Sequence, residues 1–297
     1  MEAQRSPGAR IPSIGGRLEV VVDAIGRAES LDGPASKMAS TVGRVRSPGV
    51  AGVLSGTWLG HPLHPVLTDL PIGCWTSAWL LDLVGGRSSR PAARRLIGLG
   101  VLAAVPTALT GLSDWADTEG PPRRVGVVHA AANSVGLACF AMSWVSRRRG
   151  RHGLGVLLGM VGASAATVAG HLGGHLVYRR GTGVDVNAPS ERKEEWTPLE
   201  PAQPRPPDDG AFLAHADSEP ILVTHAADGW HGIGDRCSHR GGPLHEGTVG
   251  DGCVTCPWHA SQFRTSDGAV LTGPATHPQP RYEVRESEAG FEARSVS

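Results

Sequence analysis

The sequence has no excess of charge of either sign, no regular disulfide pattern and no obvious export signal. Its 297 residues include 28 Lys and Arg and 28 Asp and Glu, so the formal net charge is zero. This balance argues against a nucleic-acid-binding protein, which would carry a basic excess. Of the five cysteines, Cys74, Cys139 and Cys253 have no paired spacing, which gives no disulfide framework. Residues 1–40 contain neither an apolar core of signal-peptide length nor a twin-arginine motif, so we expect no secretory signal there.

Apolar residues are instead concentrated between about residues 55 and 180. They form four segments, each close to the roughly 20 residues that cross a bilayer as a helix. Small residues recur within these segments, which allows membrane helices to approach closely. A soluble bundle would need a charged stripe along each segment, and none is present. The sequence therefore predicts a four-helix transmembrane bundle with spans at about 66–85, 96–112, 125–145 and 154–178.

The histidines of the predicted spans all fall on one side of the membrane when the chain is threaded up and down, and several other polar residues accompany them. Ionisable groups at membrane depth are costly and usually functional. Three interpretations remain open for this layer: haem ligation by two imidazoles, a quinone pocket, or a structural hydrogen-bond layer. The candidates for a haem or quinone site are His64, His129, His171 and His175, and the layer also contains His61, Asp69, Asp114, Trp115 and Asn133.

Three motifs in this region resemble an uncharacterised membrane family, the domain of unknown function 2231. They are HPLHP at 61–65, Gly-x-x-Asp-Trp at 111–115 and GGHLVYRRGTGV at 173–184. The resemblance covers about residues 55–185. It implies a four-helix membrane fold and supplies no activity.

Two mixed pairs of metal ligands lie near the C-terminus, Cys237-Ser238-His239 and Cys256-Pro257-Trp258-His259. Two thiolates and two imidazoles would suit a tetrahedral zinc ion. Zinc fingers, however, usually pair Cys with Cys and His with His. Mixed pairs fit a [2Fe–2S] cluster in which two histidines replace two cysteines on one iron.

The surrounding order CSHRGG…CPWHASQF…DGAVLTGPAT resembles the Rieske iron–sulfur family over about the last 100 residues. The resemblance implies that Cys237 and Cys256 bind the buried iron and that His239 and His259 bind the exposed iron. It also implies that the loop 273–275, which includes Pro274, covers the cluster.

Departures from the family point to the ferredoxin and oxygenase type. Rieske proteins of cytochrome bc complexes carry an additional disulfide, and its two positions are Gly242 and Trp258 here. Ser261 can donate a hydrogen bond to a cluster sulfur, whereas Phe263 stands where the bc type has Tyr. Hydrogen bonds to the sulfurs raise the potential. We therefore expect a potential in the lower or middle part of the Rieske range of roughly −150 to +300 mV.

The sequence thus predicts a multi-domain protein, an all-α transmembrane bundle followed by a small all-β Rieske-type domain. Its expected divisions are a tail at 1–54 with one amphipathic helix that breaks near residues 33–34, the bundle at 55–185, a Pro-rich linker at 186–209 and the cluster domain at 210–297. The amphipathic helix could lie on the membrane surface or on another helix. Seven short strands are expected in the cluster domain, at 221–225, 230–235, 252–255, 262–264, 269–271, 282–285 and 291–295.

The function we expect is single-electron transfer between a membrane donor, quinol or haem, and a docked redox partner. The alternatives are the Rieske component of a multi-subunit oxygenase and a membrane redox sensor. Basic residues after spans 1 and 3 slightly favour those loops as cytoplasmic. The lack of an export signal and of the disulfide opposes this, and we expect the cluster domain to face the cytoplasm. The expected partners are the lipid bilayer and a redox protein or quinone, with no nucleic acid.

Overall fold

The computed structural model describes residues 14–189, 193–202, 210–288 and 290–296. The tail at 1–13 and much of the Pro-rich stretch lie outside the described residues. The described chain consists of a helical region followed by a β domain.

Three helices precede the predicted bundle: α1 (Ile14–Arg27), α2 (Asp32–Val45) and α3 (Pro48–Ser55). Helix α1 packs on the bundle, since Val22 is buried against Val125 and Leu172. The predicted amphipathic helix therefore packs on other helices, which is one of the two alternatives left open above. The predicted break near residues 33–34 is wrong, because α1 ends at Arg27 and Pro34 lies in the first turn of α2. A proline there costs no helical hydrogen bond.

Four long helices follow: α4 (Leu63–Val84), α5 (Arg90–Ala116), α6 (Gly120–Arg148) and α7 (His152–Tyr178). Three apolar segments in the described chain, Arg87–Ala116, Gly120–Arg148 and His152–Tyr178, are long and apolar enough to cross a membrane. Helix α4 is not among them, although its 22 residues would suffice in length. His64, Asp69 and Asp82 lower its apolar character.

An aromatic pair and an ion pair join α4 to α6. The rings of Trp75 and Phe140 stack with centroids 3.9 Å apart and an interplanar angle of 12°. Farther along the same helices, Arg147 binds both carboxylate oxygens of Asp82, at 2.8 and 2.5 Å. Both side chains of the ion pair are less than a tenth exposed.

The bundle is internally duplicated, because the hairpin of α4 and α5 matches that of α6 and α7. The imidazole Nδ1 of His64 lies 2.9 Å from the Thr107 carbonyl, and that of His129 lies 2.8 Å from the Ala169 carbonyl. Four residues beyond each carbonyl, a glycine faces the same imidazole.

The matching continues deeper in the bundle. Along the chain, Trp75 and Asp82 follow His64 at the same spacings as Phe140 and Arg147 follow His129. Residues at equivalent positions of α4 and α6 therefore form both the aromatic pair and the ion pair. This is the arrangement expected when two matching hairpins pack against each other.

The β domain contains a closed six-stranded barrel and a four-stranded antiparallel sheet. A loop of the sheet carries the second pair of predicted ligands, Cys256 and His259. The barrel order is β1, β10, β9, β4, β3, β2, and the sheet order is β5, β6, β7, β8. The strands are β1 (Thr197–Pro201), β2 (Phe212–Ala216), β3 (Glu219–Ala226), β4 (Gly229–Gly234), β5 (Thr248–Gly250), β6 (Cys253–Thr255), β7 (Gln262–Arg264), β8 (Val270–Thr272), β9 (Arg281–Ser287) and β10 (Gly290–Val296).

Strand β1 lies inside the stretch that the sequence assigned to the linker, so the barrel begins before residue 210. It pairs with β10 and β2, and its Leu199 is buried in the barrel core. Prolines flank this core residue at 198 and 201, and their effect on the pattern hid the strand. Strands β2 and β5 are also absent from the sequence-based prediction.

Candidate metal centre

Two loops with the same turn geometry carry the four predicted ligands. The first joins β4 to β5 and contains Cys237 and His239, and the second joins β6 to β7 and contains Cys256 and His259. In each loop the backbone N–H of the fourth residue after the cysteine donates to the cysteine carbonyl. That fourth residue, Gly241 or Ala260, has a positive φ, of 74° and 59°. A non-glycine residue in this region is uncommon and often marks a functional site.

The two cysteines are buried side by side, 1% and 3% exposed. The mutual hydrogen bond and burial raise the pKa of Cys237, whereas the bond from Cys237 lowers the pKa of Cys256 to about 6. Backbone N–H groups of residues 239 and 240 face the first sulfur, and those of 258 and 259 face the second. The thiolate is the form that binds metal, and these donors stabilise negative charge on the sulfurs.

The two predicted histidine ligands lie next to each other, with ring centroids 5.0 Å apart. Nδ1 of His239 is buried and has no hydrogen-bond partner among the described residues. Burial lowers the pKa of both His239 and His259, which favours the neutral imidazole. Neutral imidazole nitrogens are the metal-binding form.

The ligand set fits a binuclear cluster better than a single zinc ion. A tetrahedral zinc site would need four converging ligands, whereas a [2Fe–2S] cluster with mixed ligation needs a sulfur pair and an imidazole pair. The cysteines and histidines are arranged as two such pairs.

Residues around the ligands leave room for the cluster. A Cβ on Gly242 would lie 3.0 Å from the Cys256 sulfur, so a larger residue here would need its neighbours to shift. The fully buried Ser261 accepts a hydrogen bond from the Ala275 N–H at 3.0 Å, which keeps its own hydroxyl hydrogen available for a sulfur. Pro274 lies in the same covering loop, after a cis peptide bond.

Comparison with known proteins agrees with this geometry. A family model described as the Rieske [2Fe-2S] domain matches residues 195–283. The anthranilate 1,2-dioxygenase ferredoxin subunit of Burkholderia cepacia is 36% identical over 91 residues, which cover 31% of this chain and 83% of that protein. The chain belongs to the Rieske [2Fe-2S] family. Its Rieske domain binds a [2Fe–2S] cluster and is related to electron-transfer ferredoxins.

The other comparisons concern the helical region and more distant relatives. A family described as a predicted membrane protein, DUF2231, matches residues 60–186. This match and the three apolar helices support a membrane location for the chain. Human apoptosis-inducing factor 3 is 34% identical over 65 residues, which cover 22% of this chain and only 11% of that protein. The solved ferredoxin of carbazole 1,9a-dioxygenase from Nocardioides aromaticivorans IC177 aligns at 19% identity over 34% of this chain and 98% of its own, with a TM-score of 0.30.

The helical region contributes residues at the tip of the Rieske domain that sequence reasoning missed. Nε2 of His239 lies 3.9 Å from Oδ2 of Asp117, in the turn between α5 and α6. Thr57 donates its hydroxyl to the Ala275 carbonyl at 2.8 Å. The predicted Asp114 lies nearby and accepts from the Ser55 hydroxyl at 3.0 Å. Only the side on which these residues fall could be read from the sequence.

The four candidate histidines of the bundle do not form one cluster in the structure. His64 and His129 occupy the equivalent positions of the two hairpins, and Nε2 of His129 lies 3.0 Å from the amide nitrogen of Asn133. His171 and His175 instead line an open cleft of about 350 Å³ together with Glu19, Gly174, Tyr178 and Arg179. His175 is additionally contacted by Arg180 at 3.3 Å.

Proposed function

We propose that this protein is a membrane-anchored electron carrier whose cluster is held by Cys237, Cys256, His239 and His259. The buried sulfur pair next to an imidazole pair with a free Nδ1 carries this proposal. The cluster supplies one-electron transfer. The loops exclude solvent from the cysteine sulfurs, whereas the histidines lie nearer the surface.

The test is an EPR spectrum of reduced membranes that contain the intact chain. We expect a Rieske-type signal, with two irons and two acid-labile sulfides per chain. Cys237→Ser and His259→Ala should each abolish the signal, whereas Cys253→Ser, a cysteine three residues before a ligand, should keep it. Stoichiometric zinc without sulfide would overturn the proposal.

We propose that α4 is a fourth span beside the three apolar helices. Its outer face supports this, because Leu70, Ile72 and Leu83 are more than half exposed. Its buried Asp82 is paired with Arg147 and does not face lipid. Labelling of single cysteines placed at residues 60 and 86 in sealed vesicles should give opposite accessibility; equal accessibility would contradict a span.

We propose a membrane donor, quinol or haem, in contact with His64 and His129. Each Nδ1 faces a backbone carbonyl, and metal-binding histidines are commonly fixed in this way. Nε2 of each ring then remains for an iron or for the proton of a quinol hydroxyl, with Asn133 moving aside at His129. A Soret band lost in His64→Ala would identify haem. Cluster reduction by a quinol analogue without a Soret band would identify quinol. If neither a Soret band nor reduction by quinol is observed, both donors are excluded.

We propose that the acceptor is a soluble redox protein, as the kinship with a dioxygenase ferredoxin subunit suggests. Trp258, next to a proposed ligand, is 56% exposed and offers an apolar contact at the tip. The alternative is that this chain is the Rieske component of a multi-subunit oxygenase. Oxidation of the reduced protein by a Rieske oxygenase component should slow in Trp258→Ala, while Trp58→Ala, an exposed tryptophan of the helical region, should not slow it.

We propose that the Rieske domain faces the cytoplasm. None of the five cysteines, all of which lie in the described ranges, forms a disulfide, which suits a reducing compartment. Protease added to sealed inside-out vesicles should then remove the Rieske domain, and protection there with cleavage in right-side-out vesicles would reverse the orientation.

A further inference from the structure

The Rieske domain meets the helical region through its covering loop. A Cβ on Gly273 would lie 2.6 Å from the Gly52 Cα, and a Cβ on Gly52 would lie 3.3 Å from the Gly273 nitrogen. The two backbones therefore touch where both residues lack side chains. The hydrogen bond from Thr57 to the Ala275 carbonyl lies beside this contact. The loop that covers the cluster is thus itself covered by α3 and the turn after it.

Asp117 is held in place on the helical side of this contact. Its Oδ1 pairs with Arg46, whose other nitrogen donates to the Ser113 carbonyl at 2.5 Å. Its Oδ2 is buried and has no hydrogen-bond partner in the part of the chain that the structure describes. The nearest ionisable group across the interface is the imidazole of His239, whose Nε2 lies 3.9 Å from this oxygen. The structure therefore holds an unsatisfied carboxylate oxygen against a proposed iron ligand.

The two ligand loops differ in how closely they approach Asp117, although its charge also acts on His259. His239 is 15% exposed at its side chain and faces Asp117, whereas the loop with His259 presents the exposed Trp258. If Nδ1 of His239 binds iron, Nε2 carries the hydrogen and faces the carboxylate. A carboxylate that accepts from a ligating imidazole makes the ligand more electron-donating.

We propose that the helical domain is the built-in docking partner of the cluster, with Asp117 as a positioning residue that orients His239 and lowers the reduction potential. The proposal rests on the function proposed above. Its physical basis is that a fixed negative charge stabilises the oxidised cluster, which carries one more positive charge than the reduced form. The first ligand loop then faces the helical region most closely, and the exposed Trp258 of the second loop remains available to an external partner.

Redox titration of the intact chain in membranes, followed by EPR, tests this. Asp117→Asn keeps the shape and removes the charge, and we expect about a tenfold shift towards reduction, which is about 59 mV for one electron. The g values should shift as well, since the charge that faces the His239 imidazole is removed. Asp251→Asn removes an equal charge from an exposed turn at the end of β6 away from the ligand loop and should leave both unchanged.

A second variant covers the case in which Asp117→Asn does not fold. Thr57→Val removes the hydroxyl bond to Ala275 and retains the carboxylate. We expect faster amide hydrogen exchange at residues 273, 275 and 276 and a potential displaced in the same direction. Wild-type potential and exchange in this variant, or an unaltered potential in a folded Asp117→Asn, would overturn the docking proposal. Absence of any Rieske signal in the wild type would instead overturn the proposed function.

Discussion

At the scale of single residues, the cluster site depends on atoms whose roles are set by a few contacts. Ala260 adopts a left-handed backbone conformation, which is uncommon for residues other than glycine. Gly242 leaves room that a Cβ would fill. Each of these residues shapes the space around the two sulfurs, and none is itself a ligand.

Ser261→Ala should make the reduction potential more negative. The variant removes the hydroxyl that is buried beside the cysteine loops, and loss of a hydrogen bond to sulfur destabilises the reduced cluster. The Ala275 N–H also loses its acceptor, which costs about 1–3 kcal/mol of stability. Potentiometric titration measures the shift, with Ser287→Ala on the distant β9 as control. An unaltered potential would contradict the bond to sulfur.

At the scale of elements, glycines on α5 and α7 provide the space that the two equivalent histidine side chains occupy. A Cβ on Gly111 of α5 would lie 2.6 Å from Cε1 of His64, and one on Gly173 of α7 would lie 3.1 Å from Cε1 of His129. Each imidazole thus lies on a glycine of the neighbouring helix. These helices approach closely because the contacting positions have no side chain.

Gly111→Ala should destabilise the bundle, whereas Gly170→Ala should not. The added methyl at 111 forces His64 away from the Thr107 carbonyl, and overpacking of this kind costs about 1–3 kcal/mol. Gly170 has nothing within 4 Å of an added Cβ, so alanine should gain up to about 1 kcal/mol of helix propensity. Thermal unfolding in detergent compares the two. Shifts of the same sign would show that the imidazole contact does not matter.

At the scale of the whole molecule, the matching of the two hairpins explains why equivalent positions of α4 and α6 form the aromatic pair and the ion pair. Trp75 meets Phe140 and Asp82 meets Arg147 because α4 and α6 face each other across the bundle. At the other end of the bundle, the duplicated histidines lie on the side of the Rieske domain. The fold thereby brings the duplicated histidines and the predicted cluster ligands to the same end.

Exchange of the buried charges tests this symmetry. Asp82→Asn leaves Arg147 buried without its partner and should cost about 3–5 kcal/mol in the free energy of unfolding. The double variant Asp82→Arg with Arg147→Asp restores the pair at equivalent positions and should recover much of the loss. The melting temperature in detergent, with each single reversal as control, measures the recovery. A double variant no more stable than Arg147→Asp alone would contradict equivalence.

The sequence by itself determined the chemistry of the Rieske domain and the apolar character of the bundle. Mixed Cys and His pairs restrict the metal centre, and long apolar segments restrict the environment, because both follow from local residue type and spacing. The tertiary structure decided which residues meet. Strand β1, the contact of Asp117 with His239 and the pairing of Asp82 with Arg147 join distant parts of the chain. Such contacts depend on how surfaces pack, and no local pattern along the chain records that.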